Sequence, residues 1–141
     1  MIRSLIDTNV LVYAFGLDTN TAKKAAAVAV LAEHHETTTL TSQVLNEFMS
    51  VALRRQQPVA WIADQVRSLT RFWTVLTPTL RTPELALDAI ATHQLSLWDA
   101  LIWAIAREHD ISIILSEDGP TGATIGGITY VNPLSSAPPN K

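Results

Sequence analysis

Short apolar runs alternate with longer mixed stretches along the whole chain. The runs are rich in β-branched and aliphatic residues, which is typical of strands, and they lie at 2–6, 37–40, 73–76, 111–116 and 128–131. The stretches between them repeat apolar residues at helical spacing and predict helices at 10–15, 21–33, 43–55, 58–69, 82–94 and 97–109. Strands that alternate with helices predict an α/β fold with a mostly parallel sheet and helices on both faces.

Polar residues mark the starts of three predicted helices. Ser42 is expected to cap the helix at 43–55, and Thr82 is expected to cap a helix whose first residue is Pro83. Ser96 resembles the first residue of a capping box, with Asp99 at the third helical position. The glycine-rich stretch 119–127 lacks a Gly-Lys-Ser/Thr ending and is interpreted as a mobile loop, not as a phosphate-binding loop.

Four acidic residues fall where this pattern predicts buried or inward-facing positions. Asp7 and Asp118 directly follow two predicted strands, at the carboxyl edge of the sheet where ligand sites form. Glu47 and Asp99 lie on the apolar stripes of two predicted helices. Any one of them alone is explained as a turn, cap or snorkelling residue. Buried carboxylates are costly unless they are paired, hydrogen-bonded or bound to a cation, so four of them predict one shared cation site.

The chemistry of such a site follows from its oxygen ligands. Carboxylate oxygens suit hard divalent cations, so the expected cofactor is Mg²⁺ or Mn²⁺. A bound ion of this kind could activate a water molecule, orient a phosphodiester and stabilise charge on the attacked phosphorus. The formal net charge of −3 argues against a nucleic-acid partner, but the objection weakens if the four acids bind divalent metal, so the charge balance does not decide the question.

Composition limits the remaining classes of protein. The chain has 141 residues, of which 48% are hydrophobic and 16% charged, as expected for one well-packed domain. It contains no cysteine, which excludes disulfides and thiolate chemistry and is compatible with a reducing cytoplasm. Neither a cleavable signal peptide nor a membrane helix is expected, so the predicted location is the cytoplasm, with no membrane partner.

Four segments in this order resemble the PIN-domain ribonucleases, specifically the VapC-type toxins of bacterial type II toxin–antitoxin pairs. The matching segments are 5–13, 42–48, 96–102 and 115–118, and the resemblance extends from residue 2 to about 131. It implies a PIN-like (Rossmann-like) three-layer sandwich over residues 1–132. The remaining residues, 133–141, are rich in serine and proline and are expected to form a flexible C-terminal tail.

The resemblance also implies an activity and a set of site residues. The implied activity is Mg²⁺- or Mn²⁺-dependent endonucleolytic cleavage of RNA by a homodimer that a cognate antitoxin inhibits. The implied catalytic residues are Asp7, Glu47, Asp99 and Asp118; the implied metal ligands are Asp7, Asp99 and Asp118; and Thr8, Asn9 and Ser116 are expected to support them by hydrogen bonds. Many relatives carry another acid soon afterwards, but 119–122 contains none, which weighs against a fully occupied second metal position.

Other interpretations stay open from the residues alone. A PIN-fold module that binds RNA or protein without catalysis would share the pattern, whereas a receiver domain or a haloacid-dehalogenase-like phosphatase would need a strand-end lysine or an Asp-x-Asp motif that the chain lacks. The arginines at 54, 55, 67 and 71 fit solvated helix faces or phosphate contacts. The tryptophans at 61, 73, 98 and 103 fit core or interface positions, with stacking on RNA bases as the alternative.

Overall fold

A computed structural model describes residues 2–135, which form an α/β sandwich around one six-stranded sheet. The strands are β1 (Ser4–Ile6), β2 (Thr38–Thr41), β3 (Thr74–Leu76), β4 (Ile113–Leu115), β5 (Thr124–Ile125) and β6 (Ile128–Val131). The helices are α1 (Thr8–Ala14), α2 (Thr21–Glu33), α3 (Ser42–Arg54), α4 (Val59–Phe72), α5 (Thr82–His93) and α6 (Leu97–Glu108). The α/β class and the mostly parallel sheet predicted from the sequence are confirmed.

The sheet order, β3-β2-β1-β4-β6-β5, places β1 and β4 side by side at its centre. All neighbours run parallel except β5 and β6, and Ile6 is in register with Leu115. The residues that directly follow these two strands are therefore neighbours at one edge of the sheet. A backbone hydrogen bond of 2.9 Å from Asp7 N to the Leu115 carbonyl holds that edge together.

The helices pack in two groups around a continuous apolar core. One group contains α5 and α6, and in the other α1 packs against α2 and α3, while α3 packs against α4. The largest fully buried side chains include Phe48 of α3 and Leu5 and Ile114 of the two central strands. Burying such side chains contributes roughly 1.5–3 kcal/mol each. The core thus fixes α3 and α6 relative to the carboxyl ends of β1 and β4.

Two of the predicted helix caps are wrong. Thr41, not Ser42, caps α3: its backbone is extended, and its buried hydroxyl accepts a 3.0 Å hydrogen bond from Val44 N. Thr82 is the first residue of α5, whose cap position is Arg81. The Thr82 hydroxyl instead accepts a 2.8 Å hydrogen bond from the Thr79 backbone N–H and donates one to Glu108, so tertiary contacts replace the local cap.

The third predicted cap is correct, but its capping box is only half formed. Ser96 Oγ accepts a 3.3 Å hydrogen bond from Asp99 N at the start of α6. Within residues 2–135, the Asp99 side chain makes no return hydrogen bond to the Ser96 backbone. Its carboxylate is therefore free to face a cavity rather than the helix end.

The glycine-rich stretch differs from the predicted loop. It contains the short strand β5, which pairs antiparallel with β6 through a turn at Gly126 and Gly127. Both glycines have positive φ angles, 55° and 82°, as a two-residue type I′ hairpin turn requires. The double glycine was thus a hairpin signal.

The end of the described chain reaches into the core, where Leu134 is buried. The predicted tail began at residue 133, and its part at 136–141 lies outside the described residues. No helix within 2–135 combines the length and apolar character that crossing a bilayer requires.

Candidate functional site

The four acids singled out in the sequence line one cavity of about 790 Å³ at the carboxyl edge of the sheet. Asp7, Glu47 and Asp99 are half-buried there. Asp118 is exposed, contrary to the expectation of burial, because it lies in a bend three residues beyond the end of β4. We call this space, whose lining includes these four residues, the acidic cavity.

Asp7 is the most constrained of the four side chains. It caps α1 by accepting a 2.7 Å hydrogen bond from Thr8 N to Oδ1, and its Oδ2 accepts a 2.8 Å bond from Ser116 Oγ. Burial raises the pKa of the Asp7 carboxyl, and the negative charges of Glu47 and Asp99 raise it further, which outweighs the opposing effect of the two hydrogen bonds. The ionised acids therefore destabilise one another in the absence of a counter-charge.

Three neighbouring polar side chains connect the acids to the backbone and to each other. Thr8 Oγ1 donates a 2.6 Å hydrogen bond to Glu47 Oε1, which joins α1 to α3. Asn9 Nδ2 donates a 3.2 Å bond to Asp118 Oδ2, while Asn9 Oδ1 accepts from the backbone N–H of residue 117. Ser116 Oγ accepts a 3.1 Å bond from Asp118 N while it donates to Asp7. Each of the supporting residues named from the sequence thus contacts at least one acid.

Two groups at the site were not anticipated from the sequence. Glu117 also lines the acidic cavity, but it forms an ion pair with Lys23 of α2 and accepts a 3.1 Å hydrogen bond from the Tyr13 hydroxyl. The Lys23 ammonium also lies 5.2 Å from the centre of the Tyr13 ring. This cation is therefore committed to Glu117 and does not neutralise the four acids.

The second unanticipated group is Tyr130 of β6. Its buried hydroxyl has no hydrogen-bond partner within residues 2–135. Burial, together with the charges of Asp99 and Asp7, raises the pKa of Tyr130, so it remains a neutral donor. A Cβ at Gly119 would come within 2.6 Å of the Tyr130 ring, which explains a glycine directly after Asp118. Periodicity gave no signal for either residue.

The donor set of the acidic cavity fits a hard divalent cation. All four side chains offer carboxylate oxygens, and within residues 2–135 none of them has a lysine, arginine or histidine within 4.0 Å. No three acidic or histidine side chains of the described chain are clustered tightly enough to chelate one ion on their own. Mg²⁺ keeps several of its waters and uses one or two carboxylates, so an open cavity with separated acids suits it.

The rim of the acidic cavity carries a positive and an aromatic group. Arg54, at the end of α3, is exposed and lines the cavity. Of the other arginines considered above, Arg67 pairs with Asp64 at 3.1 Å on a solvated face of α4. Trp98, on the first turn of α6, is 59% exposed and also lines the cavity.

Comparison with known proteins identifies the fold family. The PIN domain family model matches residues 4–119. A toxin-antitoxin complex from Klebsiella pneumoniae superposes with a TM-score of 0.71 and 21% identity, covering 92% of this chain and 97% of that one. VapC20 of Mycobacterium tuberculosis, a Sarcin-Ricin loop cleaving toxin, superposes with a TM-score of 0.68 and 22% identity, covering 83% of this chain and 91% of that one. DNA-bound VapBC from Salmonella typhimurium superposes with a TM-score of 0.66 and 14% identity, covering 92% of this chain and 97% of that one. At these identities the structures show a shared fold. No curated protein sequence matches the chain.

Proposed function

This chain belongs to the PIN-domain family, and from that premise we propose that it is a Mg²⁺- or Mn²⁺-dependent endoribonuclease, the toxin of a toxin–antitoxin pair. The observation that carries the proposal is the convergence of Asp7, Glu47, Asp99 and Asp118 on one cavity without a basic partner among the described residues. The solved relatives named as toxins support the biological role.

In this proposal, one or two of Asp7, Asp99 and Asp118 would bind the cation directly and the remainder would bind it through its waters, while Glu47 would complete the acidic wall of the cavity. A bound divalent ion supplies Lewis acidity, which lowers the pKa of water and offsets charge on the attacked phosphate. The chain's own contribution is orientation, because Thr8, Asn9 and Ser116 hold one oxygen each of Glu47, Asp118 and Asp7. Arg54, at the rim, would contact a phosphate of the RNA backbone.

The proposed reaction is hydrolysis of an RNA phosphodiester. The oxygen of water forms a bond to phosphorus as the water loses a proton, the bond from phosphorus to the 3′ oxygen breaks, and that oxygen takes up a proton and leaves as a hydroxyl. The products are a 3′-hydroxyl end and a 5′-phosphate end. Because the nucleophile is water, the neighbouring 2′-hydroxyl takes no part.

Cleavage of labelled RNA tests the proposal. We expect cleavage with Mn²⁺ or Mg²⁺, none in EDTA, and recovery when metal is restored. Replacing the nucleotide before the cut with its 2′-deoxy form should leave the cut in place. Products that end in a 2′,3′-cyclic phosphate would contradict the mechanism. Binding of RNA without cleavage in any metal would instead support the catalytically inactive module.

Metal should also stabilise the folded protein. Mn²⁺ binds the folded acidic cavity and relieves repulsion among its carboxylates, so the melting temperature should rise with Mn²⁺ concentration. At about 100-fold over the dissociation constant, the gain would be about 2.7 kcal/mol. Differential scanning fluorimetry measures the shift directly. An unchanged melting temperature across a titration into the millimolar range would contradict a metal site in this cavity.

We also propose that the chain binds an antitoxin and that a basic side chain of the antitoxin competes with metal for the four acids. We further propose that the chain forms a homodimer in the cytoplasm. Large apolar side chains lie on the surface, among them Val59, Leu80 and Leu87, each more than 60% exposed. These side chains are available for burial in an interface between two copies of the chain. Multi-angle light scattering should give twice the chain mass, and a monomer mass independent of concentration would contradict the dimer.

A further inference from the structure

A second cavity adjoins the acidic cavity and has a different chemistry. It has a volume of about 450 Å³ and is lined by Ser42, Gln43, Asn46, Ser50, Pro78 and Trp98. We call it the rim cavity. It shares Gln43, Glu47, Ser50 and Trp98 with the acidic cavity, so a ligand in the rim cavity lies beside Glu47 and next to the acidic cavity.

Trp98 is the unusual residue of the rim cavity. Its side chain is 59% exposed, and it directly precedes Asp99 in the chain. By contrast, Trp103 on the same helix is buried, and its indole N–H donates a 3.0 Å hydrogen bond to the Ile125 carbonyl. Packing of the core therefore accounts for Trp103 and leaves the exposed indole face of Trp98 unexplained.

The polar groups of the rim cavity are mostly uncharged. Gln43 and Asn46 offer amide donors and acceptors, and Ser42 and Ser50 offer hydroxyls, whereas Glu47 is the charged residue in the lining. Gln43 also approaches the Trp98 carbonyl, with its Nε2 at 3.5 Å, so α3 and the start of α6 meet at this wall. A nucleobase has flat faces and a polar edge. An exposed indole with neutral hydrogen-bonding groups beside it therefore matches a nucleobase.

We propose that the rim cavity binds one unpaired base of the RNA, stacked on Trp98, next to the phosphodiester that is cleaved. The inference rests on the proposed ribonuclease function and adds a substrate class to it. A base inside a duplex is stacked between its neighbours and cannot enter the cavity, so the preferred substrate is a single-stranded segment or a loop. Asn46 and Gln43, at the base edge, would determine which base is preferred.

The test pairs changes in the protein with changes in the RNA. A short single-stranded RNA that the wild type cleaves is made in versions that each lack one base near the cut. The protein variants are Trp98→Ala, Trp98→Phe and, as a matched control, Phe72→Ala, which removes a 66% exposed aromatic ring outside both cavities. The value of kcat/KM is measured for every combination with Mn²⁺.

For the wild type, one abasic position should lower kcat/KM about tenfold, as expected for the loss of one base–aromatic stack. Trp98→Ala should show the same loss with intact RNA and no further loss at that abasic position. Trp98→Phe should retain most of the activity, and Phe72→Ala should match the wild type. Because Trp98 is exposed, the melting temperature of Trp98→Ala should be unchanged. Pairing the substrate into a duplex should abolish the Trp98 dependence together with most of the cleavage.

Two results would overturn this inference without affecting the proposed function. In the first, Trp98→Ala cleaves intact RNA as well as Phe72→Ala does. In the second, the loss of kcat/KM at the abasic position persists in full in Trp98→Ala. Normal cleavage by Trp98→Ala with a change in molecular mass or in antitoxin binding would overturn it in favour of a protein interface. A wild type that cleaves no RNA in any metal would overturn the proposed function itself, which is a separate outcome.

Discussion

Asp99→Asn is expected to lower RNA cleavage by on the order of a thousandfold or more, while the metal-free protein stays at least as stable as wild type. Asp99 lines the cavity together with Asp7, Glu47 and Asp118, and its charge contributes to the raised pKa of Asp7. The substitution preserves side-chain volume and removes one of these mutually repelling charges. Asp99→Asn is a cleaner test than Asp7→Asn, because both Asp7 oxygens also accept structural hydrogen bonds.

The magnitudes decide the sign of the stability change. A carboxylate in the first turn of a helix gains about 0.3–1 kcal/mol from the helix dipole, which Asp99→Asn would lose. Two carboxylates ~8 Å apart repel by about 2 kcal/mol at an effective dielectric of ~20, and the charge of Asp99 acts on Asp7 in the same cavity. Relief of repulsion should therefore prevail, most clearly at low salt. Urea titrations in EDTA measure the difference. A clearly lower urea midpoint for Asp99→Asn, with cleavage retained, would mean that Asp99 only stabilises the start of α6.

Ser116→Ala is expected to lower cleavage about 10- to 100-fold with little change in melting temperature. Ser116 Oγ is the atom that joins two of the proposed ligands, because it donates to Asp7 Oδ2 and accepts from Asp118 N. Loss of a hydrogen bond that orients a metal ligand typically costs this factor in affinity or activity. The apparent affinity for Mn²⁺ should fall in parallel with cleavage.

Ser4→Ala is the matched control for this prediction. Ser4 is buried like Ser116 and lies on β1, next to the strand β4 that Ser116 directly follows, but its Oγ has no hydrogen-bond partner within residues 2–135. Removing an unsatisfied buried hydroxyl should be neutral or stabilising, with cleavage unchanged. Equal activity losses in the two variants would contradict a specific role for Ser116 and indicate a general effect of altering the central strands.

The placement of the acids was predictable because it follows from periodicity and topology. Asp7 follows β1, and the adjacent parallel strand β4 brings Ser116 and Asp118 to the same edge of the sheet. Helical spacing was sufficient to turn Glu47 toward that edge. The exposure of Asp118 was not predictable in this way, because it depends on how far the bend after β4 turns away from the core.

Features that depend on contacts between distant segments could not be derived from local patterns. The Thr82 hydroxyl looks like a helix cap in sequence, but Glu108 of α6 is its partner in the fold. In the same way, Lys23 of α2 pairs with Glu117, and within residues 2–135 none of the four acids forms an ion pair. The Thr41 and Ser42 caps differ by one residue, a shift that local sequence rules do not resolve.

The central claim is that the acidic cavity cleaves RNA with the help of a divalent cation. Its most direct test compares wild type and Asp99→Asn, purified identically, on one single-stranded RNA in EDTA and after addition of Mn²⁺. We expect cleavage only by the wild type and only with Mn²⁺, with 3′-hydroxyl ends at the cut. Equal Mn²⁺-dependent cleavage by both proteins, or cleavage by the wild type that persists in EDTA, would contradict it.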